Sequence, residues 1–186
     1  MTIVIALAGL AGSGKSTLAK HLKSNHEFEF LTFSDFLKTE AERRGVLKGK
    51  SLEEQKLELA KFGNEWRRET GKMEIVATKV ADEIKRRKLE RVIVDGARSL
   101  EEVKYLKNLF PKFYLVAIKA DVKNRFIWKK QDPKADMGKI KERDKMDVEE
   151  KGLGKVMEMA DYNIDNGSTV EHLLKEGDKI VEEVTC

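Results

Sequence analysis

An apolar run, Ile3 to Ala8, breaks into Gly9-Leu10-Ala11-Gly12-Ser13-Gly14-Lys15-Ser16-Thr17, and a helical pattern starts immediately afterwards. Gly9, Gly14, Lys15 and Ser16 satisfy the spacing G-x-x-x-x-G-K-[ST] with a strand before and a helix after, the context in which such a loop cradles phosphate. The glycines let the backbone amides from Ala11 to Lys15, Gly12 and Ser13 included, turn inward with no side chain in the way. The dipole of the following helix adds positive charge at the same place. On this reading Lys15 bridges the outer phosphates of a nucleotide, Ser16 ligates Mg²⁺, and Thr17 contacts an inner phosphate. A plain glycine turn with an exposed lysine and a serine N-cap explains each residue singly but not their joint spacing.

Four more apolar runs rich in branched residues read as buried strands: "FEFLTF" from Phe28, "RVIVD" from Arg91, "FYLVAIK" from Phe113 and "YNID" from Tyr162. Amphipathic stretches start near Ser16, Asp35, Ser51, Met73, Leu100, Val122, Gly138 and Val170. Strand and helix alternate, which implies an α/β fold with a parallel sheet and right-handed crossovers. The span from Ser34 to Glu90 far exceeds the dozen or so residues that one crossover needs, so it holds several helices, expected to form a substrate-side arm over about 35–88. The stretch from Lys129 to Gly152 is almost wholly polar and reads as a lid, since a segment with few core anchors is cheap to move. With 186 residues and no internal compositional break, one domain spanning 1–186 is expected.

Composition narrows the function. The net charge of +4 is a small difference between 37 basic and 33 acidic side chains, so no global field points to nucleic acid. The opening apolar run is too short for a secretory signal, and no stretch of ~20 apolar residues could span a bilayer. The single cysteine, Cys186, excludes an internal disulfide and a cysteine-built zinc site and fits a reducing compartment. A cytoplasmic protein with no membrane or nucleic-acid partner is expected, as a monomer or homodimer.

A phosphate loop alone does not choose between a switch, a motor and a kinase. An Asn-Lys-x-Asp guanine-reading element is missing, and "VIVDGARS" offers one acid where a water-activating ATPase usually carries a pair. That acid, Asp95, closes a predicted central strand on the side where open parallel sheets bind ligands. It could hold Mg²⁺ through water or orient an acceptor; alternatively it is a simple Asp-Gly turn. Arg98 could reach an acceptor phosphate with its fork of donors, or stand solvated at a helix start.

Together with the phosphate loop and the long insertion after strand two, "DGARSLEEV", Arg125 in "KNRFIWKK", "ERD" at Glu142 to Asp144 and "ADYNIDNGSTVEHLL" resemble the P-loop nucleoside monophosphate kinase superfamily over nearly the whole chain. The similarity is nearest to the archaeal adenylate-kinase-related, dephospho-CoA-kinase-like branch. It implies a three-layer α/β/α core with strand order 2-3-1-4-5 under an acceptor-binding helical arm and a short lid. It also places Ser34 and Asp35 of "FSDFLK" near the acceptor, with Lys38 where adenylate kinases usually carry arginine. Arg67 or Arg68 of "NEWRRETG" then grips the acceptor phosphate, and Arg125 reaches the donor nucleotide or the transferring phosphoryl group. Lys129 and Lys130 replace the usual second lid arginine, leaving Arg143 as the other candidate. Asn166 stands where related kinases contact the donor base, though an Asn-Gly turn accounts for it equally. His21, His26 and His172 share no spacing and no acidic partner in sequence and read as surface or packing residues. Trp66 and Trp128 also read as packing.

The expected activity is ATP-dependent, Mg²⁺-assisted phosphoryl transfer to a small phosphorylated acceptor, most simply a nucleoside monophosphate, with Lys15, Asp95, Arg98 and Arg125 at the reacting groups. Dephospho-CoA kinase is the near alternative, although "GARSLEE" stands where its members usually have a Pro-Leu-Leu-type segment. Another phosphorylated metabolite, or a nucleotide-binding regulatory protein with weak ATPase activity, stays open.

Overall fold

The computed structural model describes residues 1–130, 137–150 and 152–186. Five strands, β1 (Ile3–Ala8), β2 (Glu29–Thr32), β3 (Arg91–Asp95), β4 (Lys112–Lys119) and β5 (Tyr162–Asp165), form one all-parallel sheet in the order β2-β3-β1-β4-β5. This is the order the family resemblance implied. All of β1 is buried, and it reads as an unbroken apolar run because both faces of the sheet are covered.

Successive side chains of β1 point to opposite faces. Ile3, Ile5 and Leu7 pack under α1 (Lys15–Asn25) and α9 (Val170–Thr185) through Leu18, Leu22, Leu173 and Val181. Val4, Ala6 and Ala8 pack under α2 (Phe33–Arg43), α3 (Leu52–Thr70), α4 (Ile75–Arg86), α5 (Leu100–Leu109) and α8 (Leu153–Glu158). The result is the expected three-layer sandwich. Within the expected arm, α4 is core structure, with Val76, Ala77, Val80 and Ala81 buried against the sheet layer.

Two boundaries differ from the sequence reading. The second strand stops at Thr32, whose Oγ1 accepts a hydrogen bond from the Asp35 amide at 3.1 Å and so caps α2, drawing Phe33 into the helix. Helix α8 has no counterpart among the expected helices, because six residues give too short a stretch for helical periodicity to stand out.

The lid stretch also differs in its described part. Helices α6 (Val122–Lys130) and α7 (Met137–Lys145) lead into a π-helical turn, Met146–Glu150. Ile140 and Met146 are buried and α7 packs against α3, so the segment has apolar anchors despite its polar composition. The rest of the expected lid, 131–136 and 151, and the side chains of Lys129, Lys130 and Arg143 lie outside the described residues.

Strand register sets the site. Leu7 of β1 is level with Asp95 of β3, and Thr32 of β2 is level with Asp95 from the other side. The carboxyl ends of the three strands therefore deliver the phosphate loop, Asp95 and the start of α2 to one edge.

Candidate active site

The loop from Gly9 to Gly14 has the conformation its glycines permit. Gly9 and Gly14 have φ of 150° and 104°, and a Cβ would lie 2.5 Å from the Ile118 carbonyl oxygen in the first case and 2.6 Å from Asn166 Nδ2 in the second. Among the described residues no side-chain cap is made at the start of α1, where Gly14 is the N-cap, and no acidic residue stands in its first turn. By contrast α2, α3, α5 and α9 are capped by Thr32, Ser51, Ser99 and Thr169. An uncapped helix start above an inward-turned loop is an anion site. The Lys15 ammonium donates to the Gly9 and Leu10 carbonyls at 2.7 and 3.0 Å, inside the same loop.

Ser16 Oγ donates to Asp95 Oδ2 at 3.4 Å. The other carboxylate oxygen, Oδ1, is buried without a hydrogen-bond partner among the described residues. A buried carboxylate oxygen without a partner is costly, and a hard divalent cation held between Ser16 and Asp95 would satisfy it. The residues fit Mg²⁺ on that ground.

A cavity of about 480 Å³ opens on the α9 side of the loop, lined by Gly12, Gly14, Thr17, Trp128, Asn166 and Ser168 among others. Trp128, expected to be packing, is half-buried and borders this cavity. Asn166 reaches the same wall, but its Nδ2 donates to the Ser13 carbonyl at 2.9 Å while its backbone amide bonds to Lys119. The side chain braces the phosphate loop against the end of β4.

Arg125 is buried and donates from Nη1 to the Ala11 carbonyl and to Asp144 Oδ2, both at 2.8 Å. Its Nε and Asp144 Oδ1 are buried without partners among the described residues. The arginine thus touches the phosphate loop directly.

A second cavity of about 480 Å³ opens on the other side and shares Gly12, Lys15 and Ser16 with the first. Lys20, Lys56, Arg67, Arg98, Ser34 and Asp95 line it, over an apolar floor that includes Phe30 and Leu37. Arg98 donates to Asp147 Oδ1 of the π-helical turn at 3.2 Å. Arg67 is buried, donates from Nε to the Met73 carbonyl at 3.0 Å, and pairs through Nη2 with Glu102. Glu102 in turn accepts from the Arg98 and Ser99 amides through its other oxygen, so this buried pair is satisfied on both sides. Arg67 is a wall of the cavity locked by Glu102, not a swinging grip.

Two expected acceptor residues fall elsewhere. Arg68 is exposed and does not line the cavity, because one step around a helix turns it about 100° from Arg67. Asp35 is exposed in the first turn of α2 and is likewise absent from the cavity wall. Ser34 does line it, with its hydroxyl 2.9 Å from Thr32 Oγ1. Trp66 is packing, as expected: it stacks on Phe62 with ring centroids 5.9 Å apart. Lys38 faces Glu42 along α2 at 3.7 Å.

A family model described as an AAA domain matches residues 8–147. The UPF0200 protein of Thermococcus kodakarensis is 30% identical over 192 residues, covering 98% of both chains. The chain belongs to the UPF0200 family. A UPF0200/UPF0201 protein of Archaeoglobus fulgidus is 32% identical over 179 residues, and there the present UPF0200 chain covers only 53% of the relative's length, about half. Among solved structures, a shikimate kinase from Acinetobacter baumannii in complex with shikimate superposes with a TM-score of 0.60 at 15% identity, over 100% of this chain and 94% of that one. That likeness carries the fold alone. This UPF0200 protein shares its fold with P-loop kinases.

Proposed function

We propose that the protein is an ATP-dependent small-molecule kinase that passes the γ-phosphoryl group to a phosphorylated acceptor, most simply a nucleoside monophosphate. One observation carries this reading. Two cavities of equal size meet at Lys15 and Ser16, one beside a tryptophan and neutral polar groups, the other walled by Lys20, Lys56, Arg67 and Arg98. The first suits a nucleotide base and sugar; the basic wall of the second suits an anionic acceptor.

In-line transfer asks the protein for positioning and charge more than for covalent chemistry. The loop amides and Lys15 would hold the donor phosphates, with Lys15 exchanging its carbonyl contacts for phosphate oxygens. Ser16 and Asp95 would hold Mg²⁺, which would supply positive charge to offset that of the phosphates. Arg125, bonded to the phosphate loop at Ala11, and Arg98, on the wall of the basic cavity, would supply positive charge where it builds on the equatorial oxygens. Both guanidiniums would trade a carboxylate partner, Asp144 or Asp147, for phosphate oxygens of like geometry.

That last point also supports a second reading. With Arg98 and Arg125 both held by acids of the α7 segment, a nucleotide-binding regulatory protein with weak ATPase activity is the rival. ADP formation measured with Mg-ATP against a panel of nucleoside monophosphates, dephospho-CoA and other small phosphorylated metabolites separates them. Acceleration by one acceptor supports the kinase, and the accepted compound names the substrate class. ADP formation indifferent to every acceptor sinks the kinase reading and leaves the regulatory one. The protein is proposed to act in the cytoplasm without nucleic-acid or membrane partners; no described helix is long and apolar enough to cross a membrane.

A further inference from the structure

Away from both cavities, the fold brings together three side chains that the sequence keeps apart. His21 lies near the carboxyl end of α1, His26 caps that end, and Asp178 comes from α9. Both imidazole Nε2 atoms point at the same carboxylate oxygen, Asp178 Oδ1, at 2.7 and 2.6 Å. The sequence shows no acidic partner for these histidines, which read there as surface or packing residues; the fold supplies one, Asp178. All three side chains are partly exposed, at 21%, 24% and 35%.

We propose that His21, His26 and Asp178 form a binding site for a divalent transition metal ion of the zinc type, which staples α1 to α9. Two imidazoles and one carboxylate select zinc, cobalt or nickel over magnesium and calcium, which prefer all-oxygen shells. The ligand atoms lie within 4.8 Å of one another. Tetrahedral coordination at ~2.0–2.1 Å needs ligand separations of about 3.3 Å, so each imidazole retreats from Asp178 by about 0.7 Å to admit the ion. Partial exposure leaves room for that shift and a fourth position for water. Asp178 is ionised, as a carboxylate ligand must be. Burial pushes its carboxyl up, but the hydrogen bonds from His26 and His21 outweigh burial and hold it below the usual range.

The tautomers state what binding must change. Asn25 Nδ2 donates to the His21 carbonyl at 2.9 Å and lies 3.1 Å from His21 Nδ1. That nitrogen is therefore the acceptor, and Nε2 carries the proton given to Asp178. A metal on Nε2 displaces this proton, and the neutral ring then carries its single N–H on Nδ1 instead, whereupon the exposed Asn25 amide turns its oxygen inward. The staple holds helices already in tight contact, since a Cβ at Gly177 would run into Leu18.

The test uses the full chain without a histidine tag, in a Cys186→Ser background so that the terminal thiol does not bind metal. Mg²⁺ is kept in excess to saturate Ser16 and Asp95. Zinc titration by calorimetry is expected to show one ion per chain, Co²⁺ to give the visible spectrum of a four-coordinate site, and zinc to raise Tm. His26→Gln and Asp178→Asn should each weaken zinc by at least the about 100-fold that outer-shell changes can reach. Asn25→Asp, which supplies a permanent acceptor for His21 Nδ1–H, should tighten it by about tenfold. Zinc binding that ignores Asp178→Asn and His26→Gln, or no zinc binding at all, overturns the proposal and leaves a hydrogen-bonded His-Asp-His cluster. Neither result depends on whether the protein transfers phosphate.

Discussion

The donor-side and acceptor-side cavities meet at Lys15 and Ser16, yet they are made of different material. On the donor side the groups facing phosphate are mainly backbone: loop amides between Gly9 and Gly14, an uncapped helix start, and a brace from Asn166. On the acceptor side they are long cationic side chains, two of them held by acids from elsewhere in the chain: Arg67 by Glu102, Arg98 by Asp147. A backbone cradle is specified once by a short motif and accepts any nucleoside triphosphate. A side-chain wall is specified by pairings between distant segments, and on the proposed function those pairings would decide which acceptor fits.

The largest expected effect strikes the acceptor side through stability. Glu102→Ala leaves the Arg67 guanidinium buried and unpaired and strips Arg98 and Ser99 of their amide partner. We expect a loss of about 3–5 kcal/mol and a fall in Tm of about 10 °C, read by thermal unfolding. An unchanged Tm would mean that the pair is not buried as described.

Lys15→Ala should then break the donor side without touching the fold. Turnover is expected to fall by about 10²–10³-fold, the cost of losing one preorganised donor to transition-state charge, with Tm nearly unchanged. Turnover at the parental rate would refute the cradle. Arg98→Ala divides the two cavities more finely: acceptor KM should rise or kcat fall by about tenfold, with ATP affinity constant. Weaker ATP binding alone would move Arg98 to the donor side. The smallest effect belongs to Asp147→Asn. Asp147 is buried but Arg98 is partly exposed, so loosening their pair by ~0.5–1 kcal/mol should improve acceptor KM by about 2–5-fold, and a worsened KM would make Asp147 a part of the acceptor wall.

Legibility in the sequence follows the same division. The sheet could be read because strands buried on both faces are unbroken apolar runs, and the phosphate loop because its parts are contiguous. Asp95 could be read because it ends a central strand. Arg67's partner was hidden 35 residues away, although Ser99 and Glu102 form a visible capping box and so mark that glutamate as fixed. Asp144 and Asp147 lie inside a charged stretch that reads as solvated surface, and only packing of the turn beside Met146 buries Asp147. Trp128 reads as core because spacing alone does not tell a stacking face from a packed one. Asp178 stands 152 residues from His26, so nothing local could have joined them.

Transfer itself is the claim on which the comparison rests. Incubation with γ-³²P-labelled ATP and Mg²⁺, followed by separation of the products, measures it directly. The account predicts label on one member of a panel of phosphorylated acceptors, lost in Lys15→Ala and reduced in Arg98→Ala. Label appearing only as inorganic phosphate, whatever acceptor is present, would contradict it.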